Sequence, residues 1–384
     1  MRPFLVLPLL LISCAGVAQR NSPTTSTDKP FTETVIADFD APWAMTFLPD
    51  GRMLVTEKDG RLLLVSGDGK ERSVVSGTLP VDSAGQGGLM DVVLAPGFAT
   101  NHQVYFSFSE SGEGGKGVVL ARGVLAIQQV QCIRAPCPPI ARLDKVEVLH
   151  RATPYVPGNG HYSGRIAFSP DGQYLFYTNG ERQKFDPAQD MTVTLGKVLR
   201  LTLDGKPASG NPFYPETAVK AAIWSYGHRN LLGLAFDADG RLWEQEMGPK
   251  GGDELNLIEP GKNYGWPRVS NGSHYDGRDI PDHAAGDGYE PPKVFWNPVI
   301  SPGGLMIYSG KLFPAWKGDA FIGGLSSQAL IRVDLNGASA KKGDQWDMGA
   351  RIREVEQGPD GAIYVLEDGD DGSQGRLIKL MPKG

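Results

Sequence analysis

Short runs of alternating apolar and polar residues, each broken by a turn, fill this chain, and no long stretch carries a 3.6-residue period. Four segments share one line: FLPDGRMLVTE (Phe47 to Glu57), FSPDGQYLFYTN (Phe168 to Asn179), FDADGRLWEQE (Phe236 to Glu246) and QGPDGAIYVLED (Gln357 to Asp368). In each, an Asp-Gly pair suited to the positive φ of a tight turn separates two strand-like runs, so each copy predicts one β-hairpin. The turn aspartates 50, 171, 239 and 360 stand 121, 68 and 121 residues apart, a period of roughly sixty with one copy missing from each long gap. LAPGFATNHQVYFSFSE (Leu94 to Glu110) and LFPAWKGDAFIGGLSSQALIRVDL (Leu312 to Leu335) fill those gaps with diverged turns. Six units of this length predict an all-β fold, a six-bladed β-propeller of four-stranded antiparallel sheets around a central channel.

Composition supports that reading and narrows the function. The 50 Gly and 29 Pro among 384 residues fit a turn-dense chain with little helix. A net charge of -6 without any Lys/Arg run argues against a nucleic-acid partner. Arg2, the apolar run Phe4 to Ile12 and the small residues after it have the shape of an export signal over residues 1–18. Leu11 to Cys14 also resembles a lipobox, so lipid on Cys14 and ordinary cleavage near Ala18 are both open, with the protein periplasmic or lipid-anchored at the cell envelope. Residues 19–30 are polar and read as a flexible tether, leaving residues 31–384 for the propeller. In an oxidising compartment Cys132 and Cys137 are expected to form a short-loop disulfide, stapling an insertion between the second and third units, although a metal or redox pair is the rival.

Four segments carry candidate chemistry. Arg351 and Arg353 flank Ile352, so on a strand both guanidiniums leave one face, as an anion clamp or as an ordinary solvated face. Arg229 and Asn230, in SYGHRNLLG, offer fixed donors to a carbonyl or oxyanion, or cap loop carbonyls. EMGPKGGDELN supplies carbonyls and carboxylates of the kind calcium prefers, although the spacing matches no EF-hand and a plain acidic turn also fits. His161, in the Gly-rich GNGHYSGR, is the candidate general base, or a structural surface histidine; Gln86 in AGQGGLMDVVL sits in a similar small-residue setting.

GQGGLMDVVL, HYSGRIAFSPDG, SYGHRNLLGLAF, EMGPKGGDELNLIEPGKNYGWP and RIREV, in that order, resemble the soluble glucose/sorbosone dehydrogenase family, most of all its PQQ-dependent aldose sugar dehydrogenase branch. The resemblance implies a six-bladed propeller that binds pyrroloquinoline quinone (PQQ) and calcium and oxidises the anomeric hydroxyl of an aldose to the lactone. It implies His161 as the base, with Arg229 polarising the quinone oxygen. Gln86, Arg229, Asn230, Tyr275 and the run Arg351, Ile352, Arg353 would contact the cofactor. Calcium would take the Gly248 and Pro249 carbonyls, and a second ion would involve Glu254 and Tyr264. A sugar substrate and an unidentified electron acceptor complete the implied partners.

Two positions depart from that pattern. Ser326 stands where many quinone-binding relatives have a lysine, and Gly160 replaces an acidic residue that some of them carry before the histidine. The aromatic segment Gly261 to Pro302 can wall a sugar site or pack as a flap. The competing functions are a calcium-dependent propeller lactonase, which has no need of three arginines, and a non-catalytic cell-surface binding propeller, which Ser326 favours.

Overall fold

A computed structural model describes residues 25–130, 137–370 and 372–384. The export signal, Cys14 and Cys132, and with it the expected Cys132–Cys137 pairing, lie outside the described residues. Strands dominate, and the only α-helical segments among the described residues are the short turns Phe98–Asn101 and Ala218–Ala222. No helix among them is long and apolar enough to cross a membrane.

The strands assemble into four-stranded antiparallel units. One unit is Pro42–Phe47, Met53–Glu57, Leu62–Val65 and Arg72–Ser76; the next is Leu89–Leu94, Gln103–Gly112, Gly115–Gln128 and Ile140–Arg151. A parallel pairing of Val75 with Ala141 and Ser76 with Arg142 joins these two into one eight-stranded sheet. Ser163–Phe168, Tyr174–Asn179, Lys197–Thr202 and Ile223–Tyr226 follow, then Leu231–Phe236, Leu242–Glu246, Asp253–Ile258 and Val294–Trp296. Pro302–Ile307, Ala320–Gly324, Ala329–Asn336 and Ser339–Asp347 make another. The last sheet pairs Ile352–Gln357, Ile363–Glu367 and Arg376–Pro382 with Phe31–Asp38 from the other end of the chain, which locks the termini together.

Both diverged repeats form hairpins at the expected places, with a helical turn at Phe98–Asn101 and a 3-10 turn at Pro314–Trp316 replacing the Asp-Gly turn. One expectation is corrected. The insertion around Cys132 lies within the second unit, between the paired strands Gly115–Gln128 and Ile140–Arg151, because both strands run past the ordinary blade edge before turning. Part of the expected tether is also paired: Ser26 bridges Trp346 and exchanges hydrogen bonds with Gln345 and Asp347.

The first strand of every unit faces the middle of the molecule. Pro42–Phe47 packs on Leu89–Leu94, then in turn on Ser163–Phe168, Leu231–Phe236, Pro302–Ile307 and Ile352–Gln357, which returns to Pro42–Phe47 and closes a ring. The second strands, such as Met53–Glu57 and Ile363–Glu367, are buried on both faces between neighbouring sheets, which is why they read as continuous apolar runs. Every inner strand carries a β-bulge near its start, at Trp43, Met90–Asp91, Gly164–Arg165, Leu232, Gly303–Gly304 and Arg353. An extra residue at a bulge breaks the two-residue alternation and re-aims a side chain. Here the re-aimed positions all lie at one end of the ring.

Candidate active site on the ring axis

The bulges build the wall of an axial cavity. Trp43, Met90, Leu232 and Arg353, all at bulges, line it together with Gln86, Asn230 and Arg351 from the segments leading into inner strands. Lys58, Met247 and Leu325 enter from the residues just past second strands. Gln86, Asn230, Arg351 and Arg353, four of the residues singled out from sequence, therefore share one cavity. Ile352 does not join them: its side chain is buried in the apolar cluster with Val355 and Ile363, leaving only its backbone to offer a ligand.

Positive charge is concentrated here. Arg351 Nε donates to Asp368 Oδ2 at 2.6 Å and Arg353 Nη2 to the same oxygen at 3.5 Å, so one buried carboxylate aligns both guanidiniums. Burial pushes Arg353 down to about 10, against the pull of Asp368, and its Nε has no partner. From the neighbouring unit, Lys58 Nζ donates to Gly85 O at 3.2 Å and stands 3.8 Å from Asp370. Lys58 was not singled out from sequence. It supplies a cation to the cavity while Ser326, one residue past the cavity-lining Leu325, is exposed and bonded to Ser301 Oγ.

His161 sits beside this wall, only 6% exposed, with its backbone N donating to Gln86 Oε1 at 2.7 Å. Its Nδ1 bonds Glu181 Oε1, and the carboxylate also accepts the backbone amides of Gln183, Lys184 and Phe185 at 2.9, 2.5 and 2.6 Å. A carboxylate facing Nδ1 selects the tautomer that leaves the Nε2 lone pair free for a proton. Burial lowers the His161 pKa from the ordinary histidine value; Glu181 opposes this, and the Arg229 and Arg182 charges add to it. Burial works against ionisation of Glu181 as well, but the bond from His161 and the amide from Phe185 bring its pKa below the usual carboxylate value. Glu181 escaped the sequence reading because its partner is 20 positions away and no motif marks the pair.

Arg229, Gly248, Pro249, Glu254 and Tyr264 line a neighbouring cavity with Glu246 and Trp266, and Met247 lines both cavities. Arg229 Nη1 donates to Met247 O at 3.0 Å and Gly248 O at 2.6 Å, while Nη2 approaches the Tyr275 hydroxyl at 3.4 Å. Tyr275 itself is 74% exposed, at the rim. Tyr264 stacks on His228 with centroids 4.7 Å apart, and its hydroxyl donates to Leu257 O, so a ligand role would fall to its main chain.

Behind this cavity lies a buried acidic cluster. Asn256 Nδ2 faces Glu244 Oε2 at 3.2 Å, Glu254 Oε2 at 3.3 Å and Glu246 Oε1 at 3.5 Å. Ligand atoms of His228, Glu244 and Glu246 lie within 4.8 Å of one another, and Glu244 Oε1 and Asn256 Oδ1 have no partner. Hard oxygens with excess negative charge suit calcium, so Glu254, already a candidate, gains Glu244 and Glu246 as company. The Gly248 carbonyl also fits, but it is shared with the Arg229 guanidinium.

An all-β ring of four-stranded units with a cationic axial cavity and an adjoining histidine–carboxylate pair defines the class: a β-propeller with a ligand site on its axis. Residues 39–379 match Glucose / Sorbosone dehydrogenase, and the chain belongs to that family. It is 36% identical to the aldose sugar dehydrogenase YliI of Escherichia coli K12 over 99% of this chain and 98% of that one. The crystal structure of the soluble aldose sugar dehydrogenase from Escherichia coli, in its apo-form, superposes with a TM-score of 0.83 at 37% identity, covering 92% and 100% of the two chains. The PQQ-bound form of the aldose sugar dehydrogenase from Streptomyces coelicolor gives 0.71 at 28% identity, covering 94% and 100%.

Proposed function

We propose that this chain is a six-bladed propeller dehydrogenase that oxidises the C1 hydroxyl of aldose sugars to the lactone, using PQQ with calcium beside it. The observation that carries the reading is the convergence of Arg351, Arg353 and Lys58 on one axial cavity next to the His161–Glu181 pair. Arg351 and Arg353 share the single carboxylate of Asp368 and Lys58 stands 3.8 Å from Asp370, so three cations face two carboxylates, and the surplus positive charge and guanidinium forks match an anionic, carboxylate-bearing ligand. The six four-stranded units, closed by their inner strands, support the blade count.

When bound, the quinone supplies the two-electron acceptor for the C1 hydride. Arg351, Arg353 and Lys58 would hold its carboxylates, and Gln86 and Asn230, which line the same cavity, would orient it. His161 Nε2 takes the proton of the C1 hydroxyl, and loss of that proton with the hydride leaves the lactone carbonyl. Glu181 fixes the imidazole and stabilises the imidazolium that forms. Arg229, held by the Met247 and Gly248 carbonyls and topped by Tyr275, presents a guanidinium from the adjoining cavity. The Gly248 and Pro249 carbonyls with Glu246 and Glu254 would hold calcium. An external acceptor must then reoxidise the enzyme, and an exported protein, soluble or lipid-anchored through Cys14, would meet such acceptors at the envelope.

Adding PQQ and calcium to the apoprotein and following aldose-dependent bleaching of a redox dye tests the proposal. Turnover that requires both additions supports it. Lactone hydrolysis without quinone supports a lactonase, and neither activity supports a binding propeller.

A further inference from the structure

Arg182 is wholly buried, yet none of its hydrogen bonds among the described residues goes to a carboxylate. Its guanidinium donates to the backbone carbonyls of Gly160 and, at 2.8 Å, Gly158, and its Cζ lies 3.6 Å from the centroid of the Tyr162 ring. Burial works against this cation, which makes no salt bridge among the described residues and is favoured only by the nearby Glu181 charge and Tyr162, so it persists where its contacts are needed. These contacts all fall on the base and three of its neighbours, residues 158, 160 and 162: Arg182 N also donates to His161 O at 3.3 Å.

The backbone there is strained and interlocked. His161, Ser163, Arg182, Gln183 and Phe185 all have positive φ, at 52°, 62°, 61°, 59° and 64°. Such residues gather where surrounding structure forces them. A Cβ on Gly180 would stand 2.1 Å from His161 O, and one on Gly160 would stand 2.7 Å from the Gln183 side chain. The two segments thus close on each other without room for slack.

We propose that Arg182 is a positioning residue for His161: it clamps the loop that aims the imidazole and keeps a fixed positive charge beside it. Because the role presupposes His161 as a base, it rests on the dehydrogenase reading. The charged groups facing the imidazole are Glu181, which favours its protonation, and Arg182 and Arg229, which disfavour it. A proton acceptor must be neutral before it acts, so the Arg182 charge serves the same end as the clamp.

Two variants separate the clamp from the charge. Arg182→Lys keeps the charge and loses the two-carbonyl fork; Arg182→Gln loses the charge as well. The imidazole Cε1–H of His161 is titrated by NMR in the apoprotein, and kcat, KM and PQQ affinity are measured on the loaded enzyme. Arg182→Gln is expected to move the imidazole midpoint to higher pH and carry the acid limb of kcat/KM with it. Arg182→Lys is expected to keep the wild-type midpoint while kcat falls on the order of tenfold or more, with PQQ affinity within a few-fold of wild type. An unmoved midpoint in Arg182→Gln, or full kcat in Arg182→Lys, overturns the proposal. Because the NMR midpoint needs no turnover, absence of sugar oxidation in the wild type would sink the dehydrogenase reading separately.

Discussion

His161 and Glu181 share a hydrogen bond from Nδ1 to Oε1, and the same carboxylate accepts three backbone amides from residues 183–185. One side chain thereby sets the tautomer of the base and the shape of the loop beside it. Glu181→Gln leaves the loop an acceptor but presents the imidazole with an amide that fixes no tautomer. The expected outcome is a fall in kcat of about 10²–10⁴ with PQQ affinity changed little, measured by steady-state turnover and quinone titration.

The pH dependence follows from the same pair. With the His161 pKa lowered chiefly by burial, kcat/KM should hold level through neutral pH and fall only below the ordinary histidine value of about 6.5. The sign for stability is the same. The unfolded chain takes up this proton first, so folding stability rises with pH between the lowered folded pKa and about 6.5, and is lost on acidification through that window. Urea unfolding across pH 5–7 checks it, and His161→Gln should flatten this part of the curve.

Removing one guanidinium of the pair on Asp368 should cost affinity for PQQ rather than chemistry. Charge-assisted hydrogen bonds contribute about 1.5–3 kcal/mol each, so Arg353→Gln is expected to weaken quinone binding by about 10–150-fold. Fluorescence or spectral titration of the apoprotein reads this directly, and kcat at saturating quinone should fall far less.

Lys58 is the test of whether the cavity replaces the cation missing at Ser326. Lys58→Met should weaken PQQ binding by several-fold, with a salt dependence shallower than that of the wild type. Ser326→Ala, at an exposed position outside the cavity lining, should leave affinity unchanged.

Much of this site was encoded in the repeat. Seven residues before each turn aspartate stand Trp43, Gly164, Leu232 and Arg353, the bulge positions; eight after stand Lys58, Asn179, Met247 and Asp368. Three members of the first set and two of the second line the axial cavity, and Asp368 aligns its arginines. The Asp-Gly turns that count the units thus also mark the opposite ends of the hairpins, where the site forms. What the repeat could not convey is pairing between elements. Glu181 lies two residues beyond the repeat position, in a loop whose course depends on Arg182. The acidic cluster depends on cross-strand register, which puts Glu246 opposite Glu254 and Glu244 opposite Asn256.

That register also makes calcium a stability question. Like charges directly opposed on adjacent strands repel, and burial pushes both Glu244 and Glu254 well up. Chelation should lower the melting temperature, with calcium at a hundredfold its dissociation constant restoring about 2.7 kcal/mol. Glu246→Gln should shrink that difference, as read by differential scanning fluorimetry with and without chelator.

The most direct measurement uses His161→Ala loaded with PQQ and calcium and mixed once with excess aldose. This variant should bind quinone as the wild type does and fail to reduce it on the wild-type timescale. Reduction at the wild-type rate would contradict the assignment of His161 as the base.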